Sequence, residues 1–442
     1  MDEKTYIKEN TMKISVIGIG YVGLVTAVCL AEKENEVICY DINKEKIELL
    51  NSGKSPIYEQ DIERLINNNK QRITFTTDKN EVYKDGQVIF ICVETPQSED
   101  GSANLTFVYK VVDDIIGNLK NDCLIIIKST VPVGTTKEID AYVNERINKK
   151  YKVEVAFNPE FLAQGTAIRD TLNAQRIIIG ANSEWAKSIL KQIYANFDKS
   201  VMLYTDSNTA EMTKYAANNY LALKISYINE VANLCEILNA NIDDVAKGMG
   251  LDKRIGSEFL KAGIGYGGSC FPKDTNALYT LAKDNDYELK TVKSAIEVNE
   301  KQKYKLLEKL KKYYSSDKDL TIAVIGLAFK TGTNDLRESP AIYNIKKLPN
   351  AHIKAWDSVV NELPREIKNV TLCNTIDETI ENADICFIFT EWEEIKKYDI
   401  EKYQKLMKTP IILDGRNCYR HEAFKTTNII YESIGREIIN ND

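Results

Sequence analysis

The stretch from Ile14 to Ala31 is an uncharged run of eighteen residues, and its glycines divide it into elements of different period. Lys13–Ile17 is an apolar block of strand length, Gly18-Ile-Gly20-Tyr-Val-Gly23 is a turn, and the apolar residues that follow predict a helix to about Lys33. Glu36–Tyr40 is a second predicted strand, with Asp41 after it. On hydropathy alone the run has the length of a signal or membrane segment, but the glycines argue against that and no other stretch approaches this length. Apolar blocks at Val88–Val93 and Cys123–Lys128 each end in a polar, turn-forming segment, Glu94-Thr-Pro96 and Ser129-Thr-Val-Pro-Val-Gly134. Val153–Phe157 is a further strand leading into Asn158-Pro-Glu-Phe-Leu-Ala-Gln-Gly165, and Arg176–Gly180 is another.

From about Asn208 to Asn239 the apolar residues recur at three and four, which predicts one long helix with the reach of a spine between two domains. A glycine-rich stretch, Gly265-Tyr-Gly-Gly-Ser-Cys-Phe-Pro-Lys-Asp274, precedes a helical region that extends to about Tyr314. At Leu320–Gly326 a strand and glycine turn begin a second unit like the first, with strands ending at Trp356-Asp357 and lying near Ile385–Phe389 and Ile411–Leu413. Charged helices between these strands, such as Glu391–Lys402, read as solvated surface. The fold class predicted is α/β, with two Rossmann-like doubly wound domains joined by a long central helix. The expected boundaries are 12–205 for a dinucleotide-binding domain, 206–315 for a central helical region with the cysteine loop, and 316–442 for a second Rossmann-like domain. Residues 1–11 are polar and patternless and read as a loosely attached extension.

Composition narrows the function. A chain of 442 residues exceeds one core, and 43% apolar with 28% charged residues is ordinary for a globular protein. A net charge of -7 argues against nucleic acid or an anionic membrane as the main partner, so an anionic ligand must be met by local Lys and Arg. Nine cysteines without a C-x-x-C suggest neither a disulfide scaffold nor a zinc site, and a reducing cytoplasm fits best. The only histidines, His352 and His421, lie near no other plausible ligand cluster, so neither histidine catalysis nor a metal site is expected.

The first turn has the spacing of the dinucleotide fingerprint in its proper context. One glycine makes the turn, the next admits the pyrophosphate, and the third lets helix pack on strand. Asp41 would accept hydrogen bonds from ribose hydroxyls and repel a 2′-phosphate, so the cofactor predicted is NAD. Ser129 and Thr130, at a strand's carboxyl end, read equally as ligand contacts or as turn caps. Glu160 reads either as a catalytic carboxylate or as a helix-start residue. Lys214 and Asn218, one helical turn apart, pair an ammonium with an amide that together suit an oxyanion; a solvated helix face is the alternative. Cys270, just before Pro272, falls at a helix N-terminus, where unpaired amides and Lys273 favour the thiolate. Lys330, Arg337 and Arg416 supply the charge a phosphate-bearing ligand needs in the last domain. Tyr343–Lys347 and Tyr314–Lys318 match a Y-x-x-x-K spacing, of which about two examples are expected by chance in a chain this rich in tyrosine.

The ordered set GIGYVG, VETP, STVPVGTT, NPEFL, KYAANNYLALKISYINE, GYGGSCFPKD and FKTGTNDLRESP resembles the UDP-glucose/GDP-mannose dehydrogenase family from about Lys13 to Tyr419. The resemblance implies a four-electron oxidation of a nucleotide-sugar C6 alcohol to a carboxylate with NAD, through a thiohemiacetal and a thioester on Cys270. It implies that Asp274 acts as or positions a base, that Lys214 and Asn218 stabilise an oxyanion, and that Thr130 and Glu160 order a water. Cofactor contacts implied are Gly18, Gly20, Tyr21, Val22, Gly23, Asp41, Lys46, Thr95, Thr130, Lys273 and Arg337. Substrate contacts implied are Glu160, Phe161, Leu162, Lys214, Asn218, Arg254, Phe259, Gly267, Lys330 and Arg416. Arg254 resembles an arginine that reaches a neighbouring subunit's substrate, which implies a homodimer. NPEFL and Lys-Tyr-Ala-Ala-Asn favour UDP-glucose as substrate over UDP-N-acetylhexosamine or GDP-mannose. A non-catalytic NAD- or nucleotide-sugar-binding protein is the rival of another class, and it would need no thiol.

One position departs from the family pattern: Gln164 stands where a second glutamate is common. An amide cannot act as a base, so any hydrolytic role rests on Glu160, Asp274 or water. Gln164→Glu is expected to change the rate of thioester breakdown and not of hydride transfer; unchanged thioester breakdown in pre-steady-state kinetics would refute this.

Overall fold

The computed structural model describes residues 12–83, 86–147 and 149–441. The expectation for residues 1–11 lies outside them. The chain divides into two compact units, one reaching to Ala217 and the other beginning at Asn218.

The first unit carries strands β1 (Lys13–Ile17), β2 (Glu36–Tyr40), β3 (Ile73–Thr76), β4 (Val88–Ile91), β5 (Cys123–Ile127), β6 (Val153–Phe157), β7 (Arg176–Gly180) and β8 (Val201–Thr205). Their order in one sheet is β3-β2-β1-β4-β5-β6-β7-β8. The first six strands pair in parallel, β7 runs antiparallel to β6, and β8 is parallel to β7. Helices cover both faces, so the central strands are continuous apolar runs; all five residues of β5 are buried. The order reverses between β1 and its neighbours β2 and β4, and a crevice at the carboxyl ends of such strands is where ligands of doubly wound sheets bind. The uncharged run Ile14–Ala31 is strand β1, the turn, and most of the helix Tyr21–Glu32. Among the described residues no helix is long and apolar enough to cross a membrane.

The second unit repeats the plan with β9 (Thr321–Ile325), β10 (His352–Trp356), β11 (Val370–Leu372), β12 (Ile385–Ile388), β13 (Ile411–Asp414) and β14 (Ile430–Glu432). All are parallel, in the order β11-β10-β9-β12-β13-β14. The helix Ser207–Leu238 is 32 residues long and runs unbroken through the division at Ala217. Where a charged surface helix was expected at Glu391–Lys402, the chain forms two short ones, Glu393–Lys396 and Glu401–Leu406, whose Glu and Lys side chains are largely exposed, but it buries Trp392, Ile395 and most of Glu391. Trp392 and Ile395 belong to the core of this unit, which is why the segment is pulled inward despite its charge.

A buried carboxylate fixes the segment after β5. Glu211 accepts from the Gly134 amide at 2.7 Å, the Thr136 amide at 2.8 Å and the Thr136 hydroxyl at 2.5 Å, which satisfies orphan donors at the start of the helix Thr135–Arg146. Glu211→Ala leaves these buried donors without an acceptor. It is expected to lower unfolding free energy by about 3 kcal/mol in urea titration, with faster hydrogen exchange at the Thr136 amide.

Candidate active site

In the first unit the sequence fingerprint folds as a tight glycine turn between β1 and its helix. A Cβ on Gly23 would lie 1.9 Å from the Gly18 carbonyl, so only glycine lets the helix Tyr21–Glu32 start so close to β1. A Cβ on Gly20 would meet no protein atom within 4 Å, so the space beside that residue is open, as a pyrophosphate needs. Tyr21 and Val22 open the helix. Asp41, at the end of β2, accepts from the Ile19 amide at 2.9 Å and the Asn43 amide at 3.0 Å and pairs with Lys46 at 2.8 Å. Asp41 and Lys46 thus meet beside the turn. At the adjoining strand ends the Thr95 hydroxyl donates to the Thr130 carbonyl at 2.9 Å. The open glycine turn and its carboxylate fit a dinucleotide.

The loop after β6 holds a buried charge pair. Lys214 is 2% exposed, so the solvated-face reading does not hold. Its ammonium donates to the Glu160 carbonyl at 2.7 Å and to the Glu160 carboxylate at 2.8 Å, and the other carboxylate oxygen accepts from the Leu162 amide at 2.8 Å. The Phe161 ring lies 5.4 Å from the Lys214 ammonium and 4.3 Å from the Arg176 guanidinium. Glu160, Phe161, Leu162 and Lys214 are thus one cluster. Behind the same loop lies a cavity of about 460 Å³ whose lining includes Lys128, Glu160, Arg169 and Arg176.

Lys128 and Asn158 were not singled out in the sequence. The Lys128 ammonium donates to Asn158 Oδ1 at 3.1 Å and its carbonyl at 3.3 Å; Tyr194 donates to the same Oδ1, and Asn158 Nδ2 donates to the Ile178 carbonyl at 2.8 Å. The only sequence signal was a charged residue closing an otherwise apolar strand.

In the second unit Cys270 is exposed and takes the N-cap position of the helix Phe271–Asp284, with Pro272 in its first turn. Asp274, one turn on, is 1% exposed. Its carboxylate accepts from Asn218 Nδ2 at 2.6 Å and pairs with Lys273 at 2.6 Å, while Asn219 Nδ2 donates to its carbonyl at 3.2 Å. The glycine-rich loop before Cys270 is anchored on Asn299, which accepts from the Tyr266 amide at 2.8 Å and donates to its carbonyl at 3.1 Å. A Cβ on Gly267 would lie 2.1 Å from the Glu338 carbonyl, a close approach only glycine permits. Among the described residues no His, Cys, Asp and Glu cluster is placed to hold a metal ion.

The second glycine turn is tied to its own carboxylate. Asp357 ends β10 as Asp41 ends β2, but it accepts from the Leu327, Ala328, Val359 and Val360 amides and from the Trp392 indole. Nearby cations are held in place. Arg416 donates to the Phe389 carbonyl at 2.9 Å, the Phe329 carbonyl at 2.8 Å and the Gly265 carbonyl at 3.5 Å, beside Glu391. Burial works to raise the Glu391 carboxyl, but Arg416 and Lys261 outweigh it and hold the pKa below the usual range. Arg337 grips Asp335 through two nitrogens, and its carbonyl accepts from the Gly268 amide at 3.0 Å. The Lys330 ammonium lies 5.6 Å from the Phe329 ring. Phe259 meets Phe271 edge-on at 6.4 Å. Arg254 stands apart from this group, paired with Asp252 and 89% exposed at its side chain.

Burial pushes the Lys128 amine down from 10.5 to about 8, with the nearby Lys214 adding to the effect and Cys92 and Glu160 opposing it. Between those values the folded state binds fewer protons than the unfolded state, so this group adds stability as pH rises through the window. Relative to Lys128→Met, wild-type stability is expected to rise by about 3 kcal/mol from pH 8 to 10.5 in urea titrations.

Residues 12–198, 208–301 and 323–421 match, in turn, the NAD binding, central and UDP binding domains of the UDP-glucose/GDP-mannose dehydrogenase family. The chain is 44% identical over 433 residues to UDP-glucose 6-dehydrogenase TuaD of Bacillus subtilis, covering 97% of this chain and 94% of that protein. A UDP-glucose dehydrogenase structure from the hyperthermophilic archaeon Pyrobaculum islandicum superposes with a TM-score of 0.89 at 33% identity, covering 96% of this chain and 97% of that one. A UDP-D-ManNAc dehydrogenase from Pyrococcus horikoshii gives 0.86 at 29% identity, covering 96% and 99%. With three of its domain models matched in order and a relative 44% identical over nearly the whole length, the chain belongs to the UDP-glucose/GDP-mannose dehydrogenase family.

Proposed function

We propose that this protein is a UDP-glucose 6-dehydrogenase, oxidising the C6 alcohol of UDP-glucose to the carboxylate of UDP-glucuronate with NAD. The observation that carries the reading is the exposed Cys270 at a helix N-cap, one turn before a buried Asp274 held by Asn218 and Lys273, in a chain with an open dinucleotide turn. A protein that merely bound nucleotides would need neither the thiol nor the buried acid.

Gly18–Gly23 and Asp41 would hold NAD⁺, which would supply the hydride acceptor, one NAD⁺ for each of the two oxidations. The alcohol first loses a hydride and a proton to give an aldehyde. The Cys270 thiolate adds to the aldehyde carbon, and the carbonyl oxygen takes a proton to complete the thiohemiacetal. Loss of a second hydride and the hydroxyl proton leaves a thioester. Water attacks the thioester carbonyl, the carbon–sulfur bond breaks, and carboxylate and thiol are regenerated. Covalent capture keeps the aldehyde from escaping between the two oxidations. In this scheme Asp274 acts as or positions the base, Lys214 and Asn218 supply positive and amide donors to the oxyanion, and Thr130 with Glu160 orders the water. Thr95, Lys46, Lys273 and Arg337 contribute to the cofactor site; Phe161, Leu162, Phe259, Gly267, Lys330 and Arg416 contribute to the nucleotide-sugar site.

The same reading divides the chain into a cofactor part at 12–205, a central part with the cysteine at 206–315, and a nucleotide-sugar part at 316–442. It also makes the protein a cytoplasmic homodimer. Tyr220, Tyr227 and Leu234 are exposed at seven-residue intervals on the helix Ser207–Leu238, an apolar row suited to a second copy, and Arg254 is exposed as a residue reaching a neighbouring subunit would be.

Purified protein given NAD⁺ and UDP-glucose is expected to form two NADH per sugar, with a UDP-uronic acid found by mass spectrometry. Cys270→Ser is expected to abolish acid production. Turnover with only UDP-N-acetylhexosamines or GDP-mannose would replace the substrate, and no turnover with any of them would refute the dehydrogenase reading.

A further inference from the structure

The loop Asn158–Gly165 is anchored at both ends within the first unit, and its second anchor joins it to the dinucleotide turn. At one end Asn158 is held by Lys128, Tyr194 and the Ile178 carbonyl. At the other, the Gly165 amide donates to the Glu59 carboxylate at 2.8 Å and to the Tyr21 hydroxyl at 3.0 Å. The Tyr21 hydroxyl in turn donates to the same Glu59 oxygen. Glu59 is 7% exposed, so this carboxylate has left water for those donors. Burial, and then the bond to Glu59, raise the Tyr21 hydroxyl pKa, which keeps it a proton donor.

Tyr21 has two faces. It is the first residue of the helix whose N-terminal amides face the cofactor pyrophosphate, and its ring carries the hydroxyl that Glu59 holds. Between the two loop anchors sits Glu160, bonded to Lys214. We propose that Glu59 is a positioning residue that couples the dinucleotide turn to the Asn158–Gly165 loop, so that filling the turn with NAD⁺ fixes Glu160 in place. The coupling rests on the NAD site, and its consequence for catalysis rests on the function proposed above.

The test is hydrogen exchange of the 158–165 segment in the full-length protein, with and without saturating NAD⁺, for wild type, Glu59→Ala, Glu59→Gln and Tyr21→Phe. In wild type NAD⁺ is expected to slow exchange in this segment at least tenfold. In Glu59→Ala the protection is lost although NAD⁺ still binds by fluorescence titration, while Glu59→Gln retains most of it and Tyr21→Phe falls between. With UDP-glucose added, Glu59→Ala is expected to show a burst of NADH, a tenfold lower steady-state kcat, a KM for UDP-glucose within twofold of wild type, and an acyl adduct on Cys270 in the intact mass. Equal NAD⁺ protection in wild type and Glu59→Ala overturns the coupling whether or not the enzyme oxidises UDP-glucose. A wild type that gives protection but no NADH leaves the coupling standing and refutes the reaction instead.

Discussion

The Glu160–Lys214 pair is the constraint on which the loop after β6 depends. Removing two opposite charges from water carries a desolvation cost of several kcal/mol each, which is offset only when geometry and hydrogen bonds are nearly complete. Here the ammonium is shared between a carboxylate and a carbonyl of the same residue, and the second carboxylate oxygen takes a backbone amide. Such a pair tolerates little displacement. The anchors at Asn158 and Gly165 are what hold the loop to that tolerance, and they draw on β5, on the helix Glu184–Ile193 and its end, and on the dinucleotide turn.

The two units share a strand order over their common six strands, yet their equivalent carboxylates do different work. Asp41 lies beside an open glycine turn with a lysine at hand, whereas Asp357 is enclosed by four amides and an indole. Both carboxylates take the amide that follows the first glycine, from Ile19 and from Leu327; the turns differ in that Gly20 leaves open space, while Ala328 adds a second amide to Asp357. A common fold therefore carries an open glycine turn in one unit and a more fully bonded one in the other. In the second unit rigidity lies around Cys270 and not at it: Asn299, Gln302 and Arg416 hold the preceding loop while the thiol itself stays exposed.

Much of the core was legible in the chain. Strands β1, β2, β6 and β7 fall at the bounds predicted, because a strand buried on both faces is a contiguous apolar block. The helix start at Phe271 was legible from Pro272, and the cofactor turn from its glycines and Asp41. Strands β3, β8, β11 and β14 were not: all four lie at a sheet edge, β3, β11 and β14 are only three or four residues long, and β8, though of ordinary length, has no fully buried residue at all. Glu391 was misread for a related reason: its charged neighbours dominate the local pattern, while its burial comes from Arg416 and Lys261.

The sequence by itself determined most strands of the two sheets, the long helix, the first glycine turn and the cysteine at a helix N-terminus, because each is written in a short contiguous run of residues. Tertiary structure alone decided that Lys214 is buried on Glu160, that Asp274 is held by Asn218, that Glu211 caps a distant helix, and that Glu59 joins Tyr21 to Gly165. Those partners are 38 to 106 positions apart. A lone Glu or Lys carries no local mark of its partner, and only the packed sheet brings the two out of water together, where leaving either unpaired would be costly.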